Sequence, residues 1–119
     1  VLYEGHYRRS ILHVRDAARA FLWALEGLAG ATLRHRVYNV AGDSGITKRE
    51  LCHAIHRQVP HFRWFDSDAG HDPDQRDYAV DTTRALGEGW KPERTLEEGI
   101  GELLRAYTIL GGRPAHANA

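Results

Sequence analysis

The chain has 119 residues, with 16 Lys and Arg balanced by 16 Asp and Glu, eight histidines and one cysteine. That length is one domain's worth, enough to bury roughly two thirds of the unfolded surface, and the balanced charge leaves no basic field to gather nucleic acid or an anionic membrane. The single Cys52 excludes an internal disulfide framework and no stretch approaches the ~18 continuous apolar residues of a membrane span, so the composition points to a soluble, cytoplasmic protein.

Val1-Leu2-Tyr3-Glu4-Gly5 carries neither an initiator methionine nor a basic-then-apolar leader, and the chain contains no methionine at all. These features predict a piece of a longer protein, cut in from the N-terminal side. Ser10-Ile11-Leu12-His13-Val14 is an apolar run too brief for a helix and predicts a buried strand. Asp16 offers an N-cap oxygen to a helix whose Ala18, Phe21, Leu22, Leu25 and Leu28 recur on one face, ending near Gly27 or Gly30. Trp23 falls on the opposite face, which exposes a large aromatic or requires something outside this chain to cover it.

Arg36 to Ala41 predicts a second strand closed by Gly42. Thr47-Lys48-Arg49-Glu50 is a capping box opening a helix to about Val59, with Leu51, Cys52, Ile55 and Val59 inward and Pro60 as the stop. Phe62 to Phe65 predicts a short strand with Phe62 and Trp64 on one side, and Asp81 caps a short helix that Gly87 terminates. Trp90-Lys91-Pro92 predicts a turn. Thr95-Leu96-Glu97-Glu98 is a second capping box, opening a helix with Leu96, Ile100, Leu103, Leu104 and Tyr107 inward, stopped by Gly111-Gly112. Residues 113–119 read as a loose tail. Strands alternating with helices predict an α/β or α+β lobe of few short strands and about four helices, more a lobe completing a larger sheet than a finished domain.

Histidines 53, 56 and 61 invite a metal reading, as a metal-binding module, but no carboxylate or cysteine joins them at a ligand spacing. The loop from Asp66 lacks the oxygen side chain and the turning glycine of a calcium loop. Gly42-Asp43-Ser44-Gly45 sits where a phosphate-cradling loop would, yet lacks the third glycine of a dinucleotide fingerprint and the Gly-Lys-Ser/Thr of a P-loop. Cys52 lies on the core face of its helix with no histidine poised to activate it. The stretch His71 to Arg84 differs, packing Asp72, Asp74, Asp77 and Asp81 around Arg76. Arg9 and Arg76 each stand at the edge of a predicted strand, where two guanidinium forks can hold a diphosphate. Arg76 can equally pair with Asp72, Asp74 or Asp77, and spacing does not choose.

Arg9-Ser10-Ile11-Leu12-His13-Val14-Arg15-Asp16-Ala17-Ala18-Arg19-Ala20 resembles the R-x-hydrophobic-hydrophobic-H-V-x-D-x-A-x-A segment of the extended short-chain dehydrogenase/reductases, the NAD-dependent nucleotide-sugar epimerases and dehydratases. Further landmarks follow in order: Tyr38-Asn39-Val40, Thr47 to Leu51, Asp72 to Tyr78 as D-x-x-x-R-x-Y, Gly89-Trp90-Lys91-Pro92, and Leu96-Glu97-Glu98-Gly99-Ile100. The resemblance covers only the C-terminal part of such enzymes. It implies that residues 1–112 are the nucleotide-sugar-binding region of an extended Rossmann-type fold, in an enzyme of sugar-nucleotide or surface polysaccharide synthesis.

By the same resemblance Arg9 and Arg76 contact the substrate diphosphate and Tyr78 shapes the nucleotide pocket. Where some branches of the family carry a third arginine before the glycine matching Gly70, this chain has Asp68. The resemblance also implies that the full-length enzyme uses NAD or NADP and is a homodimer. The G-x-x-G-x-x-G is missing, and none of the five tyrosines has a lysine four residues on. The N-terminal Rossmann part that supplies both is therefore expected to lie outside this chain, leaving the fragment binding no cofactor and inert alone. The competing expectation is a non-catalytic interaction lobe that docks on a full-length enzyme through the face of Trp23.

Overall fold

The computed structural model describes residues 1–42 and 45–110. Asp43-Ser44 of the candidate phosphate turn, the Gly111-Gly112 helix stop and the 113–119 tail lie outside the described residues. In order the elements are β1 (Arg8–Arg9), α1 (Val14–Ala29), β2 (Ile46–Thr47), α2 (Lys48–Gln58), α3 (Thr83–Gly87) and α4 (Leu96–Ile109). The fold is a small α/β unit in which β1 and β2 pair antiparallel, Arg8 opposite Thr47 and Arg9 opposite Ile46.

The two capping boxes form as the sequence predicts. Thr47 Oγ1 accepts the Glu50 amide at 3.1 Å while the Glu50 carboxylate accepts the Thr47 amide at 2.8 Å. Thr95 and Glu98 repeat the exchange at 3.2 and 2.8 Å. Each box satisfies two amides that a helix start leaves without intrahelical partners. α2 stops at Gln58 with Val59 as its cap, and α1 stops at Ala29 with Gly30 as its cap.

The three expected longer strands do not form ladders. A strand needs a continuous partner, and Ser10 to His13 has one strand-like backbone bond, from Gly42 N–H to Ile11 C=O at 3.1 Å, before Val14 enters α1. Among the described residues Arg36 to Ala41 likewise joins no ladder. Phe62 to Phe65 is held by Leu2, whose N–H donates to Phe65 C=O at 2.9 Å, with a bridge between Leu2 and Asp66. Its alternation survives: Phe62 and Trp64 are half-buried and stacked, with ring centroids 5.7 Å apart, and their neighbours Arg63 and Phe65 are exposed. The turn predicted at Trp90 to Pro92 sits earlier, at Glu88-Gly89, where Gly89 has φ +92 and Trp90 N–H donates to Ala85 C=O at 3.0 Å. α3 begins after Thr82, and the Asp81 carboxylate accepts the Thr83 amide at 2.9 Å.

Asp16 is not the cap of α1. His13 is, its Nδ1 accepting the Arg15 amide at 3.1 Å, and Asp16 sits within the first turn, turned toward the protein. The buried carboxylate accepts the amides of Glu93 and Arg94 at 3.1 and 2.9 Å and the Arg19 guanidinium at 2.9 Å. Burial raises its pKa, but the Arg94 and Glu93 amides with Arg19 outweigh that, and the net shift is downward. Asp16 thus fastens α1 to the turn that leads into α4.

The inner face of α1 is the reverse of the expected one. Ala20 is buried against Ala85 and Trp90, with Leu12, Trp23, Tyr38 and Val40 packed around them. Trp23 meets the Tyr38 ring edge to face at 5.0 Å, and its indole N–H donates to Glu88 C=O at 3.3 Å. Phe21, Leu22, Leu25 and Leu28 are 74, 58, 63 and 66 % exposed. A hydrophobic stripe defines a face without saying whether this chain covers it. The small residues mark the close approach instead: a Cβ at Gly27 would stand 2.5 Å from the Leu33 side chain that folds over it. On α4, Ile100 is buried and Leu96 and Leu104 are half-buried, whereas the expected inward Leu103 and Tyr107 are 60 and 66 % exposed. α2 and α4 are tied by Arg57 to Glu97 at 2.8 Å and flank an apolar groove of about 670 Å³ floored by Ile11, Leu12, Leu51, Ile55 and Ile100.

Candidate functional site

Arg9 shares one surface with Arg76 and Tyr78, which lie more than 60 residues further along the sequence. β1 presents Arg9, and the segment from Asp72 to Tyr78 lies across it. One Arg9 Nη donates to the carbonyls of Arg8 and Arg76 and the other to the Asp74 carbonyl at 2.7 Å, with the Asp72 and Asp74 carboxylates 3.8 and 3.7 Å away. The side chain is only 19 % exposed. Arg9 therefore fixes the backbone of residues 74–76.

Arg76 is placed differently. Its fork meets Asp74 bidentately, Nε to Oδ1 at 2.7 Å and Nη2 to Oδ2 at 2.9 Å, and the side chain is 76 % exposed. Of the two readings left open for Arg76, pairing with Asp74 is the one drawn in this geometry. Tyr78 stands between the arginines, its ring centroid 5.9 Å from the Arg9 guanidinium carbon and 6.0 Å from that of Arg76, at the outer reach of a cation–π contact.

Three residues that sequence reasoning did not single out complete the surface. Lys48, the first residue of α2, donates to Asp72 at 2.8 Å and lies 3.9 Å from Glu4. Glu4 accepts the Asp72 amide at 2.9 Å, from a backbone at φ +43 in the left-handed region. The Arg8 amide and side chain donate to Asp77 at 2.8 and 3.3 Å. Their signal is weak in sequence because two-residue strands, which bring residue 8 opposite residue 47, leave no periodic trace. The carboxyls are shifted accordingly. Lys48, then the Asp74 amide, lowers Asp72; the Arg76 side chain, then its amide, holds Asp74 well below the usual carboxylate range and is itself raised by Asp74; the Arg8 amide, then its side chain, lowers Asp77.

The other candidate residues are differently occupied. His53 and His56 pack edge-on against Trp64 at 4.9 and 5.9 Å, and among the described residues no three His, Cys, Asp or Glu side chains converge as a metal set. Burial, then the Asp66 charge, pushes the half-buried Cys52 thiol up, away from a reactive thiolate. The first amides of α2 are all engaged: Lys48 N–H with Tyr7 C=O at 3.0 Å, Arg49 N–H with Gly5 C=O at 2.9 Å, and Glu50 N–H with Thr47. A phosphate-cradling helix start needs those amides free, and at α2 they are not. No helix among the described residues is long and apolar enough to cross a membrane.

No family model matches the chain. It is 30 % identical over 115 residues to "Putative GDP-L-fucose synthase 2" of Oryza sativa subsp. japonica, covering 95 % of this chain and 32 % of that protein. It is 34 % identical over 110 residues to dTDP-glucose 4,6-dehydratase of Streptomyces niveus, covering 87 % of this chain and 30 % of that protein. The chain spans about a third of the length of these relatives. Their names denote enzymes, one making a GDP-sugar and one dehydrating a dTDP-sugar.

Proposed function

We propose that the chain is the nucleotide-sugar-binding part of an NAD-dependent epimerase or dehydratase of the extended short-chain dehydrogenase/reductase type. The observation that carries this is the convergence of Arg9, Arg76 and Tyr78 on one surface, in a chain whose relatives are named for a GDP-sugar and a dTDP-sugar. Both relatives are matched over nearly all of this chain and about a third of themselves.

Within that reading the two arginines have unequal parts. Arg76 supplies an accessible fork to the diphosphate, and Arg9 holds the 74–76 backbone that presents it while adding positive charge. Tyr78 stacks between the guanidinium groups and shapes the nucleotide end of the pocket. Nicotinamide chemistry, a hydride moved between NAD or NADP and the sugar, belongs to an N-terminal Rossmann part, because this chain offers neither a dinucleotide loop nor a Tyr-x-x-x-Lys pair; alone it binds sugar nucleotide and turns nothing over.

The surface supports membership of a larger enzyme. The outer face of α1 leaves Phe21, Leu22, Leu25 and Leu28 more than half exposed, an apolar surface that a further part of an enzyme can cover. Docking through Trp23 loses its basis, since Trp23 faces Tyr38 and Glu88 inside the chain. The test is calorimetric titration with GDP-, dTDP- and UDP-sugars. At least one should bind, and Arg76→Ala should weaken it about 10-fold or more, the loss of a charged bidentate contact. Unchanged affinity would remove Arg76 from the site.

A further inference from the structure

We infer that Asp74 is an internal competitor for the phosphate, holding the Arg76 fork that a diphosphate must take and handing it over by changing partners. The inference rests on the reading of Arg76 as the diphosphate contact. A carboxylate and a phosphate present the same pair of oxygens to a guanidinium, so two parallel bonds from Nε and Nη2 suit either. In this chain Asp74 makes both, at 2.7 and 2.9 Å.

Three features make the exchange specific to this pair. The Arg76 side chain is largely in solvent, so its ion pair is screened and weakly held. Asp72 and Asp77 have their own cations, Lys48 and Arg8, and neither carboxylate touches the Arg76 fork. Asp74 also has a second cation beside it, because Arg9 Nη2 lies 3.7 Å from its Oδ2. Arg9 is not released in the same way, since three of its N–H groups go to the carbonyls of Arg8, Arg76 and Asp74, the last two holding the segment itself, while Nη2 keeps a second hydrogen for the Asp74 carboxylate. The site thus has a fixed cation and a releasable one, and Asp74 sets the threshold that an anion must exceed.

Calorimetry with GDP and dTDP on the intact chain and on Asp74→Asn, Arg76→Ala, the double variant and Asp77→Asn tests this. Asp74→Asn should tighten binding about two- to five-fold, the scale of an exposed ion pair. The gain should vanish in the Arg76→Ala background, and Asp77→Asn should fall short of it. Asp74→Ser, which keeps an acceptor for the Arg76 amide, should reproduce the gain and guards against misfolding of the first variant. If Asp74→Asn leaves affinity unchanged or lowers it while Arg76→Ala weakens binding, the competitor role is overturned and the Arg76 contact stands. A gain that persists without Arg76 also overturns the role, reducing it to general charge. Binding indifferent to Arg76, or no binding by either the intact chain or Asp74→Asn, overturns the contact and the competitor together.

Discussion

The Asp16 carboxylate accepts the Arg94 amide at 2.9 Å across 78 residues of sequence. One buried acid thereby joins the first turn of α1 to the approach to α4. Replacing Asp16 with Ala removes the acceptor of the Glu93 and Arg94 amides and one partner of Arg19. A loss of about 3 kcal/mol follows from hydrogen bonds to a charged acceptor. Chemical denaturation would show it as a lower midpoint with an unchanged slope.

Helix starts give a second, local prediction. Thr95→Ala removes the acceptor for the Glu98 amide and half of the capping box, costing about 1 kcal/mol. Thr95→Ser should recover most of it. Both appear in thermal unfolding followed by circular dichroism.

The acidic segment predicts a pH dependence with a defined sign. Asp72 has its pKa lowered in the folded chain, chiefly by Lys48, below the ordinary 3.8. Its contribution is fully present above 3.8 and is lost as pH falls through the lower folded value. Asp72→Asn should therefore be less stable than the parent near neutral pH, and the gap should close in acid. Urea midpoints measured across that range check it; a gap that widens in acid would be the wrong sign.

The reversed face of α1 separates neighbours in sequence. Phe21→Ser and Leu25→Ser change residues 74 and 63 % exposed and should alter the stability of this chain by no more than about 0.5 kcal/mol. Trp23→Ala opens a hole against Tyr38 and Ala20 and should cost about 3 kcal/mol. The opposite ranking would restore the stripe as the inner face.

These residues also show what the sequence could convey. Capping boxes are legible because four consecutive residues contain the whole interaction, and both formed at Thr47 and Thr95. Alternation at Phe62 and Trp64 was legible for the same reason. Ladders were not, because a strand exists only with a continuous partner, and among the described residues the segments at Ser10 and Arg36 form no ladder. The periodicity of α1 located a stripe at Phe21, Leu25 and Leu28, yet Ala20 and Gly27 make the close contacts. At the candidate site, placement at strand edges singled out Arg9 and Arg76, spacing left Arg76 with two readings, and resemblance to a family added Tyr78. The holding of the Arg76 backbone by Arg9 depends on carbonyls, which no side-chain pattern reveals.

The most direct measurement is a nuclear magnetic resonance titration of the chain with a GDP-sugar and a dTDP-sugar, following the Nε–Hε signals of Arg9 and Arg76 and the ring of Tyr78. The account predicts a saturable shift at Arg76 and Tyr78, a smaller one at Arg9, and little change at the engaged amides of Lys48 to Glu50. Saturable shifts centred on the α2 start, with Arg76 and Tyr78 unmoved, would contradict it.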